Sequence, residues 1–133
     1  MLLSEAEWAH GAEPSLADQV RTVADGEEIF PGVRVRLAAG HTAGHAAYVL
    51  SSGGQRLIAF GDALHSPVQV AHPELSSVAG HDPAEAALAR RRLVGELSAP
   101  DTIGFGIHFG DAQFGRVRDN AWNLLHPDGV GQV

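Results

Sequence analysis

Two β-rich runs, Ala46 to Ser52 and Arg56 to Phe60, flank the pair Gly53-Gly54. A two-residue hairpin loop requires positive φ at its central positions, and glycine adopts that without steric cost. The segment therefore predicts an antiparallel hairpin, and with it a sheet at the centre of the fold. Before it, Val33, Val35 and Leu37 alternate with Arg34 and Arg36 after the Pro31-Gly32 turn, which predicts a further strand with one wet face. After it comes the strongest helix start in the chain. Asp82-Pro83-Ala84-Glu85 offers an N-cap, a proline at the first helical position and an acid at the third.

That helix is expected to run to about Leu97 and stop before Pro100, with Ala86, Ala87, Ala89, Leu93, Val94 and Leu97 facing the core. Arg90-Arg91-Arg92 reads as its solvated face. Thr102 to Gly106 reads as a short buried strand running into His108. Val117 and the stretch Trp122 to Leu125 read as terminal strand pieces, and 128–133 as a loose tail. At the other end, Ser4 and Glu7 have capping-box spacing, so a helix is expected from there. Pro14 breaks it, and Leu16, Val20 and Val23 suggest a second short helix ending near Gly26. The stretch from Asp62 to about Gly80, with Pro67 and Pro73 inside it, reads as loop. The expectation is one α/β domain over 1–133, a mixed sheet with a hairpin and covering helices.

Composition removes several kinds of chemistry. There is no cysteine, which excludes disulfides, thiolate nucleophiles and cysteine-based zinc fingers. All nine basic residues are arginine, so neither Schiff-base chemistry nor a phosphate-loop lysine is available. A net charge of −7 argues against a nucleic-acid partner, whose phosphates need a basic surface. No apolar run approaches the ~20 residues of a membrane span. Neither a basic n-region nor an apolar h-region opens the chain, so a cytoplasmic setting is expected. What the composition does offer is eight histidines, the commonest metal ligand and the side chain best matched to proton transfer near neutral pH.

Three short motifs place polar, ligand-capable residues directly after strands. They are Gly40-His41-Thr42-Ala43-Gly44-His45, Gly61-Asp62-Ala63-Leu64-His65 and Gly106-Ile107-His108-Phe109-Gly110. A His pair spaced i, i+4 would share one helix face, but the glycines at 40 and 44 point to a loop whose backbone comes close to a ligand. Open α/β sheets place their sites at strand ends. Two histidines and a carboxylate there suit a borderline divalent metal such as zinc.

The combination resembles the metallo-β-lactamase fold superfamily, and within it the lactonase and methyl-parathion-hydrolase-like branches. The resemblance is to the C-terminal half of that αββα sandwich and runs from about Ser4 to Trp122. It implies that His41, Asp62 and His108 are metal ligands, with Asp62 bridging two zinc ions. The intervals between them, 21 and 46 residues, and the run Asp62 to Gln69 followed by the Asp82-Pro83 helix, also look like those branches. In lactonase-like members a Tyr that touches substrate stands where this chain has His65, which implies a substrate-facing role for His65. His45 is expected to pack or hydrogen-bond beside the site. His72 and His81 are expected to be solvated, and His10 and His126 to be incidental surface residues.

The superfamily's HxHxDH signature does not occur in these 133 residues. Without it each of the two metals keeps one histidine and the shared Asp62, short of the three protein ligands catalytic zinc takes. Two functions are therefore weighed. One is the C-terminal portion of a dinuclear-zinc hydrolase, cleaving an ester, lactone or phosphotriester with metal-bound hydroxide and inactive as an isolated chain. The other is a metal-poor structural or interaction domain derived from that fold. The expected partners are a small-molecule substrate in the complete enzyme, and either a second copy of the chain or an N-terminal half bearing HxHxDH. Self-association is expected because Val33, Val35, Leu37, Val49, Ile58 and Phe60 lie on strands whose apolar face the other half would cover.

Overall fold

The computed structural model describes residues 1–125. His126 and the 128–133 tail lie outside the described residues. In chain order the elements are β1 (Leu2–Ser4), α1 (Glu5–Gly11), β2 (Arg21–Val23), β3 (Glu28–Phe30), β4 (Val33–Leu37), β5 (Ala46–Ser52) and β6 (Gln55–Ala59), then α2 (Val68–Ala71), α3 (Pro83–Leu97), β7 (Thr102–Phe105), β8 (Phe114–Arg118) and β9 (Ala121–Leu124). β3 to β9 form one seven-stranded sheet in sequence order, while β1 and β2 form a separate parallel pair.

Every neighbour in the large sheet is antiparallel except β6 and β7. A parallel pair needs a long crossover, and this one carries α2 and α3. The hairpin forms as expected, with Gly53 and Gly54 at φ 55° and 77°. Because β5 reverses the chain between β4 and β6, and β7 is parallel to β6, the C-terminal ends of β4, β6 and β7 lie at the same edge of the sheet. The three histidine- and aspartate-bearing motifs follow those three ends.

α3 starts and stops where its residues predict. Asp82 caps it by accepting the Ala84 and Glu85 amides, and Ala86, Ala87, Ala89, Leu93, Val94 and Leu97 are buried. Arg90 corrects the expectation of a solvated arginine face: it is 3% exposed. It falls on the stripe with Ala86, Leu93 and Leu97, and its guanidinium donates to the Pro73 carbonyl and to Ser76 Oγ, which offsets the cost of burying it. The second N-terminal helix is also corrected. Pro14–Gln19 is a 3₁₀ turn, and Arg21–Val23 is a strand. The five residues between Pro14 and Val20 are too few to nucleate a helix, whereas β1 offers a partner edge. The expected loop after Asp62 contains the short helix α2, and Glu28–Phe30 is a strand rather than a lead-in to the turn.

Register sorts the apolar residues onto two faces. Val49 and Ile58 pair side by side beneath α3, with Phe60 beyond them in the same core. Val33, Leu37, Leu50, Leu57, Ile103, Phe105 and Phe114 share the opposite face. Ile58 and Phe60, expected among the residues awaiting cover, are therefore already buried on the α3 side with Val49 half-buried beside them, and Val35, on the opposite face with Val33 and Leu37, is itself only 1% exposed. The opposite face holds an edge-tilted pair, Phe105 and Phe114, with ring centroids 4.8 Å apart, and Phe114 is 46% exposed. Among the described residues no helix is long and apolar enough to cross a membrane.

Candidate metal centre

Buried anchors flank each ligand-capable residue. After β6, Ala63 and Leu64 are buried in the core, and Asp62 and His65 on either side of them turn toward the sheet edge. After β7, Phe109 is held between Phe60 (ring centroids 5.3 Å apart) and Trp122 (4.9 Å). The Trp122 ring lies where Cβ atoms at Gly104 and Gly115 would stand, which is why both positions are glycine. With Phe109 anchored inward, its neighbour His108 projects outward to Asp62.

The three motifs converge on Asp62. His108 Nε2 is hydrogen-bonded to Asp62 Oδ1 at 2.5 Å, and His41 Nε2 lies 3.8 Å from Oδ2. His65 Nε2 lies 4.0 Å from Oδ1. The ring of His65 stacks on that of His108, at 5.1 Å and 14°, and is 4.9 Å from that of His41. The hydrogen bond from His108, with His41 beside it, holds the Asp62 carboxyl below the usual carboxylate range despite partial burial. Burial pushes the His65 imidazole down, and His41 and His108 push it the same way. The site is open to solvent: the Asp62 side chain is 43% exposed.

His45 stands behind this group. Its Nε2 accepts the Asp62 backbone N–H at 3.0 Å, so the proton of the neutral ring resides on Nδ1. Burial pushes its pKa below the ordinary histidine value. It therefore holds the Asp62 backbone, as expected of a residue packed beside the site. His10 and His81 are exposed as expected, but they are not independent, since their rings meet edge-on with centroids 4.6 Å apart. His72 is exposed beside Glu74.

The glycines of the first motif do something other than the expected close approach to a ligand. Gly40 has φ 129°, and a Cβ there would fall 2.2 Å from the Ala86 backbone nitrogen at the start of α3. A Cβ on Gly44 would fall 1.9 Å from Ser4 Oγ, at the start of α1. The two glycines let two helix starts close on the loop. His81 and Asp82 also donate backbone N–H groups to the His41 and Gly40 carbonyls, at 3.0 and 2.8 Å. Sequence reasoning missed this contact, and only the pairing of both glycines with an N-cap elsewhere in the chain signalled it.

The donor set fits a zinc-like cation in kind. One ligand-capable atom each from His41, Asp62 and His65 lie within 4.8 Å of one another, and imidazole nitrogen with carboxylate oxygen suits that ion. The spacing slightly exceeds twice a zinc–nitrogen bond of about 2.1 Å. His65 Nδ1 is buried without a partner, whereas a ligating histidine normally donates its second ring N–H.

No protein-family model matches the chain, and no curated protein matches it in sequence. Solved structures do match in fold. The hydrolase AbOPH of the β-lactamase superfamily superposes with a TM-score of 0.79 at 21% identity, covering 94% of this chain and 54% of its own. AidC, a dizinc quorum-quenching lactonase, gives 0.73 at 18% identity, covering 93% and 53%. A variant of AiiA from B. thuringiensis, solved with N-decanoyl-L-homoserine at its active site, gives 0.63 at 21%, covering 80% and 46%. The chain thus spans about half the length of the structures it matches. Its mixed sheet and helices have the fold of half a metallo-β-lactamase superfamily hydrolase, consistent with the C-terminal half.

Proposed function

We propose that this chain is the C-terminal portion of a dinuclear-zinc hydrolase acting on an ester, lactone or phosphotriester. The observation that supports this most is the meeting of His41, His65 and His108 around Asp62 from the ends of three strands. His41, Asp62 and His108 would hold zinc, which when bound supplies Lewis acidity for a carbonyl or phosphoryl oxygen. Asp62 presents its two oxygens to different histidines, as a bridging carboxylate requires. His65, with its stacked and partly buried ring, would donate a hydrogen bond to the substrate oxygen where negative charge develops.

The remaining ligands are proposed to come from an upstream half bearing HxHxDH, seated on the open face of Leu50, Leu57, Phe105 and Phe114. In its absence, two copies of the chain would pair through the same face. The isolated chain is expected to turn over little or no ester, lactone or organophosphate with zinc present, and supplying the upstream half is expected to restore turnover. Turnover by the isolated chain that both chelation and Asp62→Ala abolish would show the half-site to be sufficient. A second reading, a metal-poor interaction domain, is favoured by that same open apolar face. Zinc-free protein recovered from zinc-supplemented growth would support it.

A further inference from the structure

Ser4 and Glu7 have the spacing of a capping box, yet only half of the box forms. Ser4 Oγ accepts the Glu7 amide at 3.1 Å. The carboxylate of Glu7 would ordinarily turn back to the Ser4 amide. Instead Glu7 Oε2 accepts Thr42 Oγ1 at 2.6 Å and the Gly44 amide at 2.7 Å, while Ser4 Oγ donates to the Gly44 carbonyl at 2.8 Å. Three hydrogen bonds thus tie the first turn of α1 to residues 42 and 44, the segment that joins His41 to His45. The Gly44 backbone is pressed so closely on Ser4 and Glu7 that no side chain fits there.

We propose that Glu7 is a positioning residue for the metal-binding loop, fixing the orientation of His41 toward Asp62 and of His45 beneath it. The proposal rests on the metal reading only in its second readout. Nothing else among the described hydrogen bonds holds the Thr42 side chain, and the loop's remaining bonds are backbone ones from Ala38, His81 and Asp82, one within the loop from Gly40 to Thr42, and the Asp62 amide on His45 Nε2. A carboxylate that accepts an amide and a hydroxyl at once is a stronger tether than a neutral acceptor, because both bonds are charge-assisted.

The test uses the 133-residue chain, first without metal. In Glu7→Ala the imidazole NMR signals of His41 and His45 are expected to shift or broaden while that of His72 stays in place. Glu7→Gln, which keeps an acceptor oxygen, is expected to restore most of the wild-type pattern. With zinc titrated against a chromophoric chelator, affinity is expected to fall about ten- to a hundred-fold in Glu7→Ala, as for other residues that orient metal-ligating histidines. Glu28→Ala removes a comparable carboxylate–amide bond at the β3–β4 turn and is expected to leave both readouts unchanged. Wild-type His41 and His45 signals in folded Glu7→Ala would overturn the proposal, as would wild-type zinc affinity in a variant whose signals had moved. If Glu7→Ala does not fold, Thr42→Val removes one bond of the clamp and is read in the same way. If wild type takes up no zinc, as half of a ligand set allows, the NMR comparison alone decides the role of Glu7.

Discussion

Leu57 and Ile58 are consecutive on β6, yet Ile58 is fully buried under α3 and Leu57 is only half-buried on the opposite face. Across the sheet Ile58 and Val117 are closed on one side and Leu50 and Phe114 exposed on the other, where Val35 alone of the named residues is buried. A strand sends alternate side chains to opposite faces, so one sheet can be apolar on both and satisfied on only one. The closed face carries stability, because its residues have left water. The open face carries a demand for cover, which a strand pattern announces but cannot meet.

Truncation under α3 has the largest expected effect. Phe60→Ala removes a fully buried ring that packs on Phe109 and Trp122, and is expected to cost about 3–5 kcal/mol in denaturant unfolding. A loss below about 1 kcal/mol would mean that the face beneath α3 is not the core. Next in size is Gly40→Ala, where the α3 start meets the loop that carries His41. Positive φ and a clash with the Ala86 backbone are expected to cost about 2 kcal/mol or more. The equivalent change at Gly95, where an added Cβ meets nothing, is expected to be neutral or stabilising.

A smaller effect is expected on acidification. The folded pKa of His45 lies below the ordinary value near 6.5, so below that pH the unfolded chain binds a proton that the folded chain refuses. Stability contributed by neutral His45 is present above pH ~6.5 and is lost as pH falls toward its folded pKa. Urea midpoints at pH 7.5 and 5.5 are expected to fall together more in wild type than in His45→Gln, and equal falls would remove His45 as the cause. The smallest stability change is expected on the open face. Phe114→Ser should move the unfolding free energy by less than about 1 kcal/mol, yet reduce the mass seen by light scattering toward that of one chain. An unchanged mass would direct the search for an interface elsewhere.

Much of the fold could be read from local signals. Gly53-Gly54, the alternation at 33–37 and the cap at Asp82 each specify structure within a few residues, and each element formed where its residues place it. The N-terminal stretch was less legible, because β2 depends on pairing with β1, and no local pattern in Arg21–Val23 outweighs a helix of similar length. Arg90 was misread for a related reason. Its acceptors, Pro73 and Ser76, come from a loop far along the chain, and charge alone predicts solvent.

By itself the sequence determined the strands from β4 onward, the one long helix and the placing of His41, Asp62 and His108 at strand ends, since turn chemistry, capping and periodicity act over short distances. Tertiary structure alone decided which side chains meet. It brought β4, β6 and β7 to a common edge, set His65 against His108, put His45 under the Asp62 amide and assigned Glu7 to the loop rather than to its own helix. Those contacts join residues 17 or more positions apart, and strand order and register, not local preference, set which groups come within hydrogen-bonding distance.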